Sequence, residues 1–346
     1  MVLRGTYNFG RKMAEKFNLV GANRKPSIEA ARFIACLFVI FIHQPNTAFG
    51  SHEEFIEALR VSARWAVPFF FVASGYFVSK GDLSLYTCRK FTFRLLVLLL
   101  FWGAIYSSIY GRWDVSIEAI SGGVKSIFTL FNYGFGSFHL WFLFSLLGAG
   151  VLYFFGAIIV GVWPLYAIGV AVFLLGIILG PHYYLFGGER SFAHYNTRFF
   201  PFFSVPFFLA GVAASQFEFW FVKNRAKFLV LSLAFLLAEY SVFYFLYGLR
   251  LDSIEYSLFW LPVSVSLFMW IKEMSLDFGR FNHLARVLGS LSFGIYAMHI
   301  LVMDFLYLLW MPGSLIGGLT SAMLILALST IVSLMGRRLP FLRKVF

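Results

Sequence analysis

The chain has 346 residues, of which 60% are hydrophobic and only 13% are charged, and its mean hydropathy is +0.80. Ordinary soluble domains are about 25% charged and 45–50% apolar, so the composition excludes a soluble enzyme and indicates an integral membrane protein. The formal net charge of +12 would suggest a nucleic-acid partner on a soluble protein. The two cysteines, Cys36 and Cys88, predict no disulfide framework, and we expect both to be reduced.

The chain begins with a polar, basic stretch, and the first apolar run starts only after residue 26. That run is too long for the hydrophobic region of a signal peptide and has no small-residue cleavage site. We therefore expect an uncleaved first membrane helix. The predicted organisation is a basic cytoplasmic arm over 1–26, a membrane domain over 27–336 and a basic cytoplasmic tail over 337–346.

Hydropathy predicts ten membrane helices, since a spanning helix needs about 20 mostly apolar residues. In chain order the predicted spans cover approximately 28–49, 61–78, 91–110, 140–160, 165–179, 199–215, 228–247, 256–271, 287–309 and 314–335. The predicted fold class is all-α: a polytopic integral membrane protein of about ten transmembrane helices with both termini in the cytoplasm.

The positions of Lys and Arg predict the orientation of these helices, because cytoplasmic loops carry an excess of both residues. With the N-terminus inside, the inner segments hold 20 of the 28 Lys and Arg residues, the outer loops hold seven, and Arg32 lies within the first helix. This excess favours the ten-helix arrangement. It also accounts for the net charge without a nucleic-acid partner.

Arg32 and His43 are ionisable residues in the otherwise oily first helix, and such groups at membrane depth are costly. They lie eleven positions apart, which is about 20° beyond three full turns, so they share one face about 16 Å apart along the axis. Imidazole can take a proton from a hydroxyl near neutral pH or attack an acyl carbon. The alternative is an arginine that reaches the headgroups and a histidine hydrogen-bonded to a neighbouring helix, and the spacing does not decide between them.

The second and third predicted helices carry two further candidate groups. Ser74 and Gly75 offer a hydroxyl and a close helix approach, and by physical argument alone a packing role is favoured. Arg89, Lys90 and Arg94 open the third helix at its inner end. Clustered cations there could hold phosphates, or they could be an ordinary positive-inside cluster.

The remaining polar candidates lie in the outer loops and the later helices. The predicted outer loop 180–198 collects His182, Glu189, Arg190, His194 and Arg198, as either a binding loop or a solvated one. His139 opens the fourth helix, Glu239 lies in the seventh, and Tyr296, His299 and Asp304 lie in the ninth. Tyr296 and His299 are three apart and share a face, which predicts a hydrogen-bonded structural pair. We expect no metal site.

Several segments together resemble the acyltransferase-3 family of membrane acyltransferases. They are Arg32 followed after ten residues by His43, FFVASG at 70–75, HLWFL at 139–143, RFFPFFSVPFFLAG at 198–211 and SFGIYAMH at 292–299. They occur in the family's order and cover nearly the whole chain. The resemblance is closest to the stand-alone bacterial branch that O-acetylates surface polysaccharides such as enterobacterial common antigen.

The resemblance implies ten core helices in the bacterial plasma membrane and an acyl-CoA co-substrate, usually acetyl-CoA, used from the cytoplasmic side. The implied acceptor is a hydroxyl of an envelope glycan or lipid-linked sugar, and no bound cofactor is expected. By resemblance His43 is the catalytic histidine and Arg32 its motif partner. Many members carry Arg-x-x-Arg at the start of the third helix, whereas this chain has Arg89, Lys90 and Arg94 with different spacing.

Two further roles complete the predicted site. Ser74 or Tyr76 would donate a hydrogen bond to the developing oxyanion. The acceptor would be held by Arg198, Glu189 and His139.

Other classes of membrane protein stay open from the residues alone. Ten hydrophobic helices with interior charges also suit a secondary transporter or flippase for a glycan or lipid precursor. Transporters often show inverted repeats with Gly- or Pro-interrupted helices at matching positions, and this sequence shows no such repeat. A membrane scaffold without chemistry is the third class, and it leaves Arg32 and His43 unexplained.

Overall fold

The computed structural model describes residues 25–113, 136–180, 182, 197, 200–251, 254, 256–275, 277–340, 342–343 and 345–346. Those residues form twelve α-helices and no strand, which confirms the all-α fold class. The helices are α1 (Pro26–His43), α2 (Glu53–Ala63), α3 (Ala66–Ser79), α4 (Leu85–Tyr110), α5 (Trp141–Ile159), α6 (Val162–Leu179), α7 (Ser204–Gln216), α8 (Glu218–Tyr247), α9 (Trp260–Glu273), α10 (Asn282–Ser290), α11 (Ser292–Leu309) and α12 (Leu315–Arg338).

Eight helical stretches of the described chain are long and apolar enough to cross a membrane. They are Pro26–His43, Glu53–Ser79, Leu85–Tyr110, Phe138–Ile159, Val162–Leu179, Glu218–Tyr247, Ser292–Leu309 and Leu315–Arg338. The sixth and eighth predicted spans coincide with α7 and α9, which have 13 and 14 residues. Both are shorter than the roughly 20 residues that a straight span needs, so ten crossings remains a prediction.

The first predicted helix ends earlier than its hydropathy suggests. α1 stops at His43, and a 3₁₀ turn over Asn46–Phe49 follows. Gln44 is extended, with φ −66° and ψ 137°, because the residue before a proline is disfavoured in the helical region. Pro45 therefore places His43 at the last helical position.

One compact unit comprises Met1–Val67 and Trp270–Phe346. In its described part α1 packs against α2, α10, α11 and α12. Its core includes Ala35, Val39 and Ile295, all at most 3% exposed. The thiol of Cys36 donates to the carbonyl of Ser292 at 3.3 Å. Lipid tails are as apolar as leucine, so close packing and such interhelical hydrogen bonds hold membrane helices together.

The second unit comprises Pro68–Met269. In it α7 packs against α5, α6 and α8. α3 crosses α7 at two glycines: a Cβ on Gly75 would lie 1.9 Å from the carbonyl oxygen of Phe208, and one on Gly211 would lie 2.1 Å from that of Val72. The missing side chains let the two backbones touch. Cys88 in α4 is buried, and neither it nor Cys36 is disulfide-bonded.

A buried carboxylate ties α8 to the segment before α9. Glu239 is 9% exposed and accepts hydrogen bonds from the hydroxyl of Ser257 and the backbone N–H groups of Leu258 and Phe259, the last two at 2.9 and 3.3 Å. Its other close neighbour is Nε2 of His182, at 2.9 Å. Because buried carboxylates are costly unless paired, these contacts account for a charge within an apolar helix.

Contacts at the helix ends pair segments that the charge bias assigns to the same side. Lys80 Nζ, after α3, lies 2.6 Å from Glu218 Oε2 at the start of α8. In the other unit Lys25 Nζ donates to the carbonyl of Lys272 at 3.0 Å. All four residues belong to segments predicted to be cytoplasmic, so the packing agrees with the predicted alternation of the helices.

Candidate active site

Arg32 and His43 lie on a single continuous helix, so the geometry predicted from their spacing applies. α1 runs without a break from Pro26 to His43. An unbroken helix of this length places the two residues on one face with a rise of about 16 Å between them. Arg32 lies in the first half of the helix and His43 at its last position, so the two side chains lie toward opposite ends of the shared face.

Arg32 is paired with a carboxylate that the sequence alone did not single out. Its Nη1 lies 3.3 Å from both carboxylate oxygens of Glu29, three residues earlier. The Glu29 side chain is 6% exposed and that of Arg32 is 28% exposed. This spacing of three is one at which side chains meet on a helix, so the pair was predictable. Arg32 is therefore part of a partly buried ion pair rather than a cation directed only at headgroups.

A glycine on α10 makes room for this ion pair. A Cβ on Gly289 would lie 2.3 Å from the carbonyl oxygen of Glu29 and 2.5 Å from its Cβ. α10 therefore approaches α1 closely at Glu29. This approach excludes solvent from the carboxylate and strengthens its attraction to Arg32.

The charges at the start of α1 form a second small cluster. Lys25 Nζ lies 3.6 Å from a carboxylate oxygen of Glu273, whose other partner is the ammonium of the adjacent Lys272. The hydrogen bond from Lys272 is the largest cause that holds the pKa of the Glu273 carboxyl below its usual range; burial opposes it, and the positive charges of Lys272 and Lys25 add to the lowering. Glu273 is thus ionised at neutral pH and joins the end of α9 to the start of α1.

His43 faces a second imidazole. The ring centroids of His43 and His299 are 5.3 Å apart, with an angle of 31° between the ring planes. His299 is only 1% exposed, and its Nδ1 lies 2.6 Å from the carbonyl oxygen of Tyr296. A carbonyl can only accept, so Nδ1 carries the proton in this bond and Nε2 of the neutral ring keeps a lone pair.

The predicted link between Tyr296 and His299 exists, but it runs through the backbone carbonyl of Tyr296. What the sequence did not reveal is that His299 lies against His43. The two residues come from the first and eleventh helices of the described chain, and only tertiary packing brings them together. Two adjacent imidazoles can hold and pass a proton, which is the chemistry that a general base requires.

Ser74 and Tyr76 make packing contacts in the second unit. The hydroxyl of Ser74 donates to the carbonyl of Phe70, one turn earlier, at 2.7 Å. Tyr76 is 3% exposed, and its ring centroid is 5.0 Å from that of Phe268. With Gly75 at the crossing of α3 and α7, the FFVASG segment contributes to helix packing in this unit.

The three cations proposed to hold phosphates are all exposed on α4. The helix begins at Leu85, where Ser84 caps it by accepting the N–H of Thr87 at 3.2 Å, so the cluster lies within the first three turns. Lys90 and Arg94 are four apart and share a side, whereas Arg89 lies on another. All three side chains are exposed, as a binding site for an anion at this end of α4 requires.

The predicted acceptor residues fall in different places. His139 is 1% exposed in a 3₁₀ turn before α5, where its Nδ1 lies 2.8 Å from Ser137 Oγ and its ring meets that of Tyr106 at 4.8 Å. Glu189 and Arg198 lie outside the described residues. Within the described chain, no three His, Cys, Asp or Glu side chains are grouped so that they could hold a metal ion.

The family model of acyltransferase 3, described as an acyltransferase domain, matches residues 25–338. The chain belongs to the acyltransferase-3 family. The match extends from the residue before α1 to the end of α12, so this acyltransferase carries its family domain over all the described helices. Comparisons with curated proteins and with solved structures found no match.

Family membership decides between the classes that the residues left open. The many apolar helices and the family together make this acyltransferase a multi-pass membrane protein, and the transporter and scaffold alternatives lose their support. The fold holds both motif residues of α1 in defined geometry, Arg32 beside Glu29 and His43 beside His299.

Proposed function

We propose that this acyltransferase moves an acetyl group from cytoplasmic acetyl-CoA to a hydroxyl of an envelope glycan or lipid-linked sugar, in the plasma membrane of a bacterium. The observation that carries the proposal is the imidazole pair at the C-terminal end of α1, where the ring centroids of His43 and His299 are 5.3 Å apart. Membership of an acyltransferase family supplies the class of reaction. The glycan, the acetyl group and the compartment follow from the resemblance described above.

In the proposed reaction His43 accepts the proton of the acceptor hydroxyl as its oxygen attacks the thioester carbonyl. A carbon–oxygen bond forms, the carbon–sulfur bond breaks, and the proton leaves on the thiol of coenzyme A. Proton transfer by a positioned imidazole contributes about 10²–10⁴-fold to rate. In the second route a ring nitrogen of His43 attacks the thioester carbon, and the carbon–sulfur bond breaks to release the thiolate of coenzyme A. The acceptor hydroxyl then attacks the acyl-imidazole, the carbon–nitrogen bond breaks, and the hydroxyl proton passes to the thiolate.

The proposed binding roles belong to residues of α4 and α3. The exposure of Arg89, Lys90 and Arg94 supports a role in holding the phosphates of coenzyme A. An oxyanion role for Ser74 requires its hydroxyl to leave the carbonyl of Phe70, which it contacts at 2.7 Å. Tyr76 is the other proposed donor.

The proposed acceptor residues are His139, Glu189 and Arg198. His139 is buried against Tyr106 and Ser137, so a glycan would reach its ring only if these contacts opened.

Mass analysis of surface glycans tests the proposal directly. Deletion of the gene should remove an ester-linked acetyl group from one envelope glycan, and the wild-type chain should restore it. Glycans with unchanged ester content in the deletion strain would overturn the proposal. Loss of transport of an unmodified glycan, with no loss of ester, would instead favour the flippase alternative.

A further inference from the structure

Gln44, the residue after the candidate catalytic histidine, is buried and hydrogen-bonded through both its backbone and its side chain. Gln44 is 1% exposed, although a glutamine at the end of a surface helix is normally solvated. Its backbone N–H donates to the carbonyl of Ile40 at 3.1 Å and closes the last turn of α1. Its backbone carbonyl accepts from Nη2 of Arg60 at 2.7 Å.

The side chain of Gln44 reaches two other helices. Its Nε2 lies 2.9 Å from the hydroxyl of Tyr307 on α11, and 2.6 Å from the hydroxyl of Ser321 and 3.1 Å from the carbonyl of Gly318 on α12. A carbonyl oxygen can only accept, so the contact with Gly318 fixes which end of the amide points toward α12. Ser321 is itself oriented, because its hydroxyl lies 2.9 Å from the same carbonyl.

These contacts restrict the position of His43, because Gln44 is the next residue and is bonded to α11, the helix that also carries His299. α11 carries His299, which lies beside the His43 ring, and Tyr307, which contacts the Gln44 amide. The extended backbone at Gln44 turns its side chain out of the helix and toward α11 and α12. The last turn of α1 is therefore joined to α11 at two adjacent residues, and at Gln44 the contact is a directional hydrogen bond.

We propose that Gln44 is a positioning residue: its buried amide, held by Tyr307, Ser321 and Gly318, fixes the last turn of α1 and thereby the orientation of the His43 imidazole against His299. The proposal rests on the proposed function, since it assigns the proton transfer to His43. Gln44 does not touch the reacting atoms; it acts through His43.

The test compares Gln44→Met in two backgrounds. Methionine keeps the length and approximate volume of the side chain and removes its hydrogen bonds. Membranes that contain the native glycan and the full-length protein are supplied with labelled acetyl-CoA, and kcat and the KM for acetyl-CoA are measured per amount of protein. A misplacement of about 1 Å can cost about 10²-fold in rate. We expect kcat to fall about 10- to 100-fold, with KM for acetyl-CoA within about two-fold of wild type.

In the His43→Ala background the same substitution should lower the residual rate less than about two-fold, because residues that act as a unit are not additive. An equal fractional loss in both backgrounds would show a role in general stability and overturn the proposal. An unchanged kcat in the Gln44→Met protein would overturn it as well.

A matched pair on α12 provides the second measurement. Ser321 and Ser329 are both fully buried serines of α12, and only Ser321 contacts Gln44. Ser329 has no hydrogen-bond partner among the described residues. We expect Ser321→Ala to lower kcat and Ser329→Ala to leave it unchanged. Equal losses from the two variants would count against the positioning role.

The same experiment separates failure of this inference from failure of the proposed function. If His43→Ala retains the wild-type rate, the catalytic role of His43 is wrong and the positioning role falls with it. If His43→Ala is impaired while Gln44→Met keeps the wild-type kcat, only the positioning role is wrong.

Discussion

His43 and His299 lie with their ring centroids 5.3 Å apart, although 256 positions separate them in the sequence. The Nδ1 of His299 is engaged by the carbonyl of Tyr296, so the neutral ring has a lone pair on its other nitrogen. Such a ring can take a proton from a donor beside it. This arrangement gives the candidate base a neighbour that can share or relay the proton that it removes.

We expect His299→Phe to lower the rate of acyl transfer about tenfold or more, because phenylalanine keeps a flat ring beside His43 and removes both nitrogens. The rate is measured in membranes with labelled acetyl-CoA. The control is His283→Phe, the same substitution at the second residue of α10, which should leave the rate unchanged. A fully active His299→Phe protein would show that His43 works without its neighbour.

Helix geometry predicted the shared face of Arg32 and His43, because an uninterrupted helix places residues eleven apart in register. The partner of Arg32 was also within reach of the sequence, since Glu29 stands at helical spacing. The contact of His299 with His43 and the contacts of Gln44 could not be predicted from the sequence, because they depend on which helices pack together. Local spacing carries no information on that choice.

At the scale of the helices, the crossing of α3 and α7 explains the Ser-Gly of the FFVASG segment. Gly75 and Gly211 leave the backbones in direct contact, with carbonyl oxygens where their Cβ atoms would stand. The Ser74 hydroxyl is satisfied within its own helix by Phe70. The segment therefore serves the packing of the second unit whether or not its hydroxyl also serves the reaction.

Gly75→Ala and Gly211→Ala should each destabilise the protein by about 3 kcal/mol or more, since a backbone clash cannot be relieved by a change of rotamer. The control is Gly81→Ala, where an added Cβ would meet only the carbonyl of Val78, at 3.4 Å. Thermal unfolding in detergent, with the yield of folded protein, measures the effect. If the Gly75 and Gly211 variants unfold at the same temperature as the Gly81 variant, the described crossing is wrong.

Hydropathy located the helices well and their ends less well, for an identifiable reason. The predicted span 199–215 includes the apolar run before α7, but that run contains Pro201 and α7 begins only at Ser204. The predicted span 256–271 likewise begins four residues before α9. A hydropathy window measures how apolar a segment is, whereas a helix also needs compatible backbone conformations.

At the scale of the whole molecule, orientation rests on the excess of Lys and Arg in alternate loops. Packing agrees with the alternation, since Lys80 meets Glu218 in one unit and Lys25 meets Lys272 in the other. The charge bias further predicts that these helix ends face the cytoplasm. Helix packing alone carries no information on which side they face.

Thiol labelling tests this orientation. Gly81 and Gly313 are exposed loop glycines predicted to lie inside and outside, and the native Cys36 and Cys88 are buried, so background labelling should be low. A membrane-impermeant maleimide should label Gly313→Cys in intact cells and Gly81→Cys only after the membrane is permeabilised. The reverse pattern would place the N-terminus outside and contradict the predicted topology.

The central claim is that His43 performs the proton transfer or acyl transfer of a membrane acyltransferase. The most direct measurement is the transfer of labelled acetyl from acetyl-CoA to the native glycan in membranes that contain equal amounts of His43→Ala, His52→Ala or wild-type protein. His52 is an exposed histidine nine residues later and serves as the control. We predict a loss of at least about 100-fold for His43→Ala and an unchanged rate for His52→Ala. Wild-type transfer by the His43→Ala protein would contradict the account.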